Sequence, residues 1–503
     1  MATQEPPTER TVLVLGDQCN RAIGALASAV PGRDTVLVIE AADKIDGRAW
    51  HAQRLHFYVS SMRHFVADLR AEGFTVDHRR AASMRTGIEA HRADHPGREI
   101  TATAPNSRRA RRLLASLAVP TVTSDQFLVA PEAFAAWATG RKSLRMEDFY
   151  REQRVRLGYL MEGNEPAGGR WNHDKENRQG PPRGAVPWPA APVGSPDDID
   201  REVLADLPSG CVGSATGGLW ATSRTGALER LRHFVDDVLP HFGPHEDAMM
   251  TNDWHLAHSL LSPYLNNGLL LPGEVCDAVQ RAWEAGRVPV ASAEGFIRQV
   301  IGWREYVHGL YWFLDEDYAD LNELGAHRPL PPLFREPTRT SMACVASALG
   351  AVHERGWAHH IQRLMIMGNL ALLAGVRPDE LTAWMWEMFV DGAEWVMVPN
   401  VVGMALHADG GRMATKPYAA GGAYIDKMSD HCRGCAYDRR KRTGDDACPF
   451  TTLYWDFLLR HADRFSRNHR MTTQIGGARK LADAAEVRIR ARTVLDRLDA
   501  GTL

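Results

Sequence analysis

The hydrophobic pattern of this chain changes period once, and that change constrains its fold more than any other feature. Within the first 125 residues, short apolar, β-branched runs recur: TVLVLG (11–16), TVLVIE (35–40), FTVDHR (74–79), EITATA (99–104) and TVTS (121–124). Between them lie stretches such as RLHFYVSSMRHFVADLRAEG (54–73), with apolar residues at helical spacing. Strand and helix in repetition predict a parallel, doubly wound sheet. Ligands of such sheets bind beyond the carboxyl ends of the strands, which sets Asp17, Gln18 and Glu40 beside a candidate pocket. No G-x-G-x-x-G follows the first strand, so a nicotinamide fingerprint is absent.

Residues 162–198 are polar and rich in Gly and Pro, and read as an inter-domain connection. Beyond them the period is almost entirely helical, as in AEGFIRQVIGWREYVHGLYWFL and WAHHIQRLMIMGNLALLAG, whose apolar stripes are wide enough for deep burial. The expected organisation is an α/β domain over 1–135, a helix and linker over 136–205, and an all-α domain over 206–503. Many of the 14 tryptophans fall in the last, which suits either an aromatic-cofactor pocket or a Trp-rich core.

Composition narrows the class. A chain of 503 residues, 44% apolar and 24% charged, is expected to be soluble and to have more than one core. It contains no run of 18 apolar residues and no secretory signal pattern, so no membrane association and a cytoplasmic location are expected. The net charge of −3 does not announce a nucleic-acid partner. Two local runs, Arg108-Arg109-Ala110-Arg111-Arg112 and Arg439-Arg440-Lys441-Arg442, are either phosphate-tracking patches or solvated charge.

The seven cysteines are an odd number, and structural disulfides are unexpected in a cytosolic chain. Cys432, Cys435 and Cys448 form a C-x2-C-x12-C-P arrangement that points to metal or redox chemistry. The Cys-Pro ending is typical of iron–sulfur ligand sets, but a four-thiolate zinc site uses the same donors. The fourth thiolate is open among Cys344, Cys276, Cys211 and Cys19.

Long segments then carry a resemblance. HADGGRMATKPYAAGGAYIDKMSDHCRGCAYD and ACPFTTLYWDFLLRH closely resemble the prokaryotic (6-4) photolyases, the iron–sulfur bacterial branch of the photolyase/cryptochrome family. LVLGDQ, SSMRHF, GRKSLRMEDFYRE, GGRWNHDKENR, HSLLSPYLNNGLL, GFIRQVIGWREY and EWVMVPNVVGM follow the same family in order, so the resemblance spans nearly the whole chain. It implies a photolyase fold: an antenna domain on the parallel sheet and a helical domain that binds FAD. It also implies a [4Fe–4S] cluster on Cys344, Cys432, Cys435 and Cys448. The implied FAD contacts are Ser259, Ser262, Arg304, Asp391 and Asn400, with Trp384 passing electrons to the flavin. For an antenna of 6,7-dimethyl-8-ribityllumazine, Asp17, Gln18 and Glu40 are the implied partners.

The implied activity is light-driven repair of damaged DNA by a monomeric lyase. Excited reduced FAD gives an electron to a flipped (6-4) photoproduct, and a histidine supplies a proton near its own pKa. The resemblance implies His360 as donor with His359 beside it, and Tyr418 and Tyr424 lining the lesion pocket. Lys416 and Arg412 are candidate phosphate contacts, and Asp247 is a candidate Mg2+ ligand. A cryptochrome-like blue-light photoreceptor on the same scaffold is the alternative.

The chain departs from the family pattern at four places. Met385 and Glu336 stand where a relative has the aromatic residues that continue electron transfer from Trp384. Met397 stands where a glutamate is expected near the flavin. Leu364 replaces the second proton-relay histidine of animal (6-4) photolyases. The differences at Met385, Glu336 and Met397 weaken photoreduction more than repair, which starts from flavin already reduced.

Overall fold

The computed structural model describes residues 9–182 and 188–503; positions 1–8, and 183–187 of the linker, lie outside the described residues. The chain forms two compact units. One takes the residues up to Ala130 together with Pro192–Phe234 and Leu260–Ala278. The other takes Pro131–Ala191, Val235–Ser259 and Val279–Leu503.

The first unit is built on five strands: β1 (Arg10–Val14), β2 (Thr35–Ala41), β3 (Thr75–Ala81), β4 (Glu99–Thr103) and β5 (Thr121–Val122). They lie in the order β3-β2-β1-β4-β5, and every pairing is parallel. All seven residues of β2 are buried, as expected of a strand covered on both faces. Leu13, Leu37, Ile39, Ile100 and Ala102 from the sheet pack with Ile88 and Leu114 from helices Met84–Asp94 and Arg108–Ser116. Each of these helices starts on a serine cap, Ser83 and Ser107, that accepts a main-chain N–H of the first turn. The order reverses between β1 and β4, so the loops after those two strands flank a topological switch point, the usual ligand crevice of such sheets.

The second unit is helical. Its helical stretches include wide, π-type turns at Arg298–Arg304, Gln362–Gly368 and Pro399–Ala405. Such turns break regular hydrogen bonding and concentrate at functional sites. Here they hold Arg304 and Asn400, and one begins two residues after His360. Among the described residues, no helix is long and apolar enough to cross a membrane.

Helix Glu305–Phe313 packs on Pro131–Ala138 at Gly309, where the ring of Phe134 occupies the space a side chain would need. Phe134 is wholly buried and meets Phe149, Tyr306, Trp137 and Phe313 at ring separations of 5.3–6.2 Å. Gly309→Ala drives a methyl into that ring. It is expected to destabilise by about 1–3 kcal/mol and to lower Tm by a few degrees in a thermal melt. An unchanged Tm would show that the aromatic cluster yields without cost.

Candidate active site and cysteine cavity

Cys344, Cys432, Cys435 and Cys448 line one cavity of the second unit. Cys344 is the second residue of helix Ala343–Arg355, which packs against the short turn His431–Gly434 that carries Cys432. Cys448 caps helix Pro449–Arg460, and the Phe450 and Thr451 main-chain N–H groups turn towards its sulfur. Burial raises the pKa of the Cys344, Cys432 and Cys448 thiols, Cys432 to about 12. Gly422 comes close here: a Cβ on it would lie 3.1 Å from Cys448 Sγ and 2.9 Å from Thr451 Oγ1. Cys19, Cys211 and Cys276 belong to the other unit. Three groups of His, Cys, Asp or Glu among the described residues bring three donor atoms within 4.8 Å of one another, and the cysteines form none of them.

The basic run between these cysteines is largely neutralised. Arg439 pairs with Asp426 at 2.5 Å, Lys441 with Asp446 at 2.5 Å and Arg442 with Asp483 at 2.8 Å. Its free charge is therefore smaller than the sequence suggests.

A second cluster in the same unit surrounds the histidine pair. The side chain of His360 is 52% exposed and its Nε2 lies 3.2 Å from Asp247 Oδ1. His359 is buried, with neither ring nitrogen bonded to protein. It stacks on His258 at 4.5 Å and 15°. Asp247 raises the pKa of both Tyr418 and Tyr424, though burial acts more strongly; Tyr424 reaches about 12, so both phenols stay protonated. Asn369 fixes the loop after Tyr418 by donating to Ala420 O at 2.9 Å and accepting from Ala420 N at 3.1 Å. Arg363 pairs with Asp391 at 3.0 Å and lies 4.0 Å over the Phe389 ring.

The linker contributes groups that pattern reading passed over. Arg178 and Asp174, within GGRWNHDKENR, act electrostatically on Tyr418. Asp174 pairs with Arg298 at 2.5 Å, and Arg298 Nε donates to Glu294 at 3.1 Å. Glu294 is fully buried and also accepts from Tyr150 Oη (2.8 Å) and His173 N (2.9 Å). His258, likewise unanticipated, lies directly before Ser259 in HSLLSPYL, and its position in a recognised stretch was the available signal.

The remaining residues separate. Arg304 lies 5.3 Å over Trp395 and 3.0 Å from Glu305, and the Asn400 amide donates to Val396 O at 2.9 Å. Ser259 lies in the second unit, whereas Ser262 opens the short helix Ser262–Asn266 of the first. Trp384 is buried, donates to Phe334 O at 3.1 Å and has Phe334 and Phe389 as ring neighbours. Met385 and Met397 are buried, while Glu336 is on the surface, 3.3 Å from Arg339. In the first unit Asp17 follows β1 and accepts from Asn106 Nδ2 (3.0 Å), which follows β4; Gln18 Nε2 donates to Ala104 O at 3.2 Å. These contacts sit at the switch point. Glu40 is committed elsewhere, to Arg63 at 2.8 and 3.0 Å and His78 at 2.9 Å.

The fold matches solved structures of photolyases and cryptochromes. A bacterial class III photolyase from Agrobacterium tumefaciens superposes with a TM-score of 0.58 at 15% identity, covering 99% of each chain. A Synechocystis cryptochrome gives 0.53 at 14% identity, over 80% of this chain and 83% of that one. Residues 12–216 match the family described as deoxyribodipyrimidine photo-lyase-related protein. The (6-4) photolyase of Agrobacterium fabrum is 42% identical over 97% of this chain and 99% of its own, so this chain belongs to the (6-4) photolyase family.

Glu246, next to Asp247, carries a buried carboxyl whose pKa is about 8. Burial is the main cause, and Asp247, Asp174 and Glu294 add to it against Arg298. A carboxyl raised above its ordinary 4.5 contributes stability that is complete below that value and is lost as pH rises through 8. Glu246→Gln cannot ionise, so its Tm relative to wild type should climb as pH is raised from 4.5 to 8. A Tm difference independent of pH would contradict this assignment.

Proposed function

We propose that this protein is a light-driven (6-4) photolyase that restores two pyrimidines from a (6-4) photoproduct in DNA. The observation that carries the reading is the His360–Asp247 pair beside Tyr418 and Tyr424, in a chain 42% identical to a (6-4) photolyase. His360 is the proposed proton donor to the lesion, and its Nε2 lies 3.2 Å from the Asp247 carboxylate. Tyr418 and Tyr424, protonated throughout the working range, stack on and hydrogen-bond a flipped base. Arg178, Arg412 and Lys416 are the proposed phosphate contacts. We assign the protein to the cytoplasm as a monomer, with antenna binding in 1–135 and repair in 206–503.

FAD supplies the electron when bound. The helical unit offers it polar groups: the Gln362 Oε1 and Trp357 Nε1 atoms are buried without a protein partner. Ser259, Arg304, Asp391 and Asn400 are the proposed holding residues in this unit. The lumazine antenna fits Asp17 and Gln18 at the switch point, whereas Glu40 serves the first unit through Arg63 and His78. Asp247 is also the proposed Mg2+ ligand, since hard cations take carboxylate oxygens.

A [4Fe–4S] cluster on the four cysteines that line one cavity is the proposed metal group. A single tetrahedral zinc, with Zn–S near 2.3 Å, draws its sulfurs to about 3.8 Å of one another; these thiols are not grouped that tightly. Ring neighbours of Trp384 that resist oxidation, Phe334 and Phe389, favour repair over a light sensor that depends on photoreduction.

Pre-reduced protein should repair a defined (6-4) oligonucleotide under blue light, and His360→Ala should lose at least tenfold in repair yield while still binding it in the dark. A wild-type protein that neither binds nor repairs the oligonucleotide ends the photolyase reading. Purified protein should carry about four iron atoms per chain, and Cys432→Ala should lose iron together with flavin or solubility. Stoichiometric zinc would overturn the cluster.

A further inference from the structure

We propose that Asn369 is a positioning residue for lesion recognition: its side-chain amide, bonded in both directions to the Ala420 main chain, fixes where Tyr418 stands in the lesion pocket. This rests on the photolyase reading above.

The segment that carries Tyr418 does not fix its own course. Ala419-Ala420-Gly421-Gly422 follows the tyrosine, and glycine loses more conformational freedom on ordering than any other residue. Among the described residues, no main-chain hydrogen bond in loops or turns engages positions 411–420. Tyr418 therefore owes its place to side chains from outside this segment.

Three such side chains hold it. Asp409, which is buried, accepts from Gly411 N at 2.9 Å and from Met413 N at 2.8 Å. Asn468 Nδ2 donates to Thr415 O at 2.9 Å. Asn369 Nδ2 donates to Ala420 O at 2.9 Å, and its Oδ1 accepts from Ala420 N at 3.1 Å. Of the three, Asn369 acts closest in sequence to Tyr418. It also engages both polar groups of one residue, as two paired strand residues exchange both their bonds. A single hydrogen bond lets the chain swivel about it, whereas two running in opposite directions set its orientation as well.

Asn369 is itself firmly anchored. It is 1% exposed and opens helix Asn369–Ala374 directly after the wide turn Gln362–Gly368, where its main-chain N–H meets Leu364 O and Ile366 O. The same helical stretch begins at His360, so one element sets both that histidine and the loop. Beyond Ala420, the Thr451 hydroxyl accepts from Gly422 N at 3.0 Å and donates to Arg439 O at 2.9 Å. The chain between the two tyrosines is thus pinned twice. Tyr418 is half-buried and close enough to Tyr424 to act on it electrostatically. Release at Ala420 lets one tyrosine drift against the other, and small misplacements of binding groups are costly.

The test uses flavin-loaded, pre-reduced protein. It measures dark binding of a (6-4) oligonucleotide and of its undamaged counterpart, and repair per absorbed photon at saturating lesion. Asn369→Ala should weaken lesion binding by about five- to tenfold, with binding of undamaged DNA and repair of bound lesion within about twofold of wild type. Asn369→Asp keeps the size and the acceptor but cannot donate to Ala420 O. It should weaken lesion binding too, and it carries the test if the Ala variant does not fold. A double-mutant cycle separates positioning from general destabilisation: in a Tyr418→Ala background, either Asn369 substitution should change lesion affinity by less than about twofold. Additive losses, or wild-type lesion affinity in the Asn369 variants, overturn the positioning role. A wild type that binds no lesion ends the photolyase reading and this role with it, whereas additive losses in a wild type that binds end this role alone.

Discussion

Glu294 is enclosed completely, and an enclosed carboxylate must find its counter-charge and donors within the protein. It takes a guanidinium from Arg298, one turn along its own helical stretch, a hydroxyl from Tyr150 and a main-chain N–H from His173. Each bond ties down a different part of the helical unit. Tyr150 brings helix Met146–Leu157, and His173 brings the linker segment. Arg298 then reaches past Glu294 to Asp174, the residue after His173. A polar stretch that sequence pattern presents as an inter-domain connection is thereby fixed where Asp174 and Arg178 act on Tyr418. Losing one partner of such a buried pair typically costs about 3–5 kcal/mol, so the network is a structural requirement of the site it organises.

The wide helical turns have a related role. A regular helix satisfies its own carbonyls and leaves its backbone little to offer a ligand. The turns Arg298–Arg304, Gln362–Gly368 and Pro399–Ala405 interrupt that regularity beside Arg304, His360 and Asn400. Strain at Leu256 and Leu260 belongs to the same economy: irregular backbone is tolerated where side chains must be aimed.

Charge compensation also separates what the chain contains from what it displays. The run Arg439-Arg440-Lys441-Arg442 is strongly basic on paper, yet three of its cations are met by carboxylates from positions 426, 446 and 483. At Trp384 the reverse holds: the departures at Met385 and Glu336 are visible in the sequence, and the structure adds that Phe334 and Phe389 enclose its ring.

The parallel sheet, the helical second half and the family itself were legible in the sequence, because periodicity and long ordered motifs are local properties of the chain. Those motifs pointed to Cys344 with Cys432, Cys435 and Cys448 as the metal set, and to the His359-His360 pair. Tertiary structure decided what depends on distance between segments. It set Cys344 beside the C-terminal thiols through helix packing, and committed Glu40 to Arg63 and His78. It also brought His258 onto His359 across a separation of about a hundred residues. No short-range pattern encodes such a contact, because stacking is fixed by burial and by the folding of strained backbone around it, and neither is written in the spacing of residues.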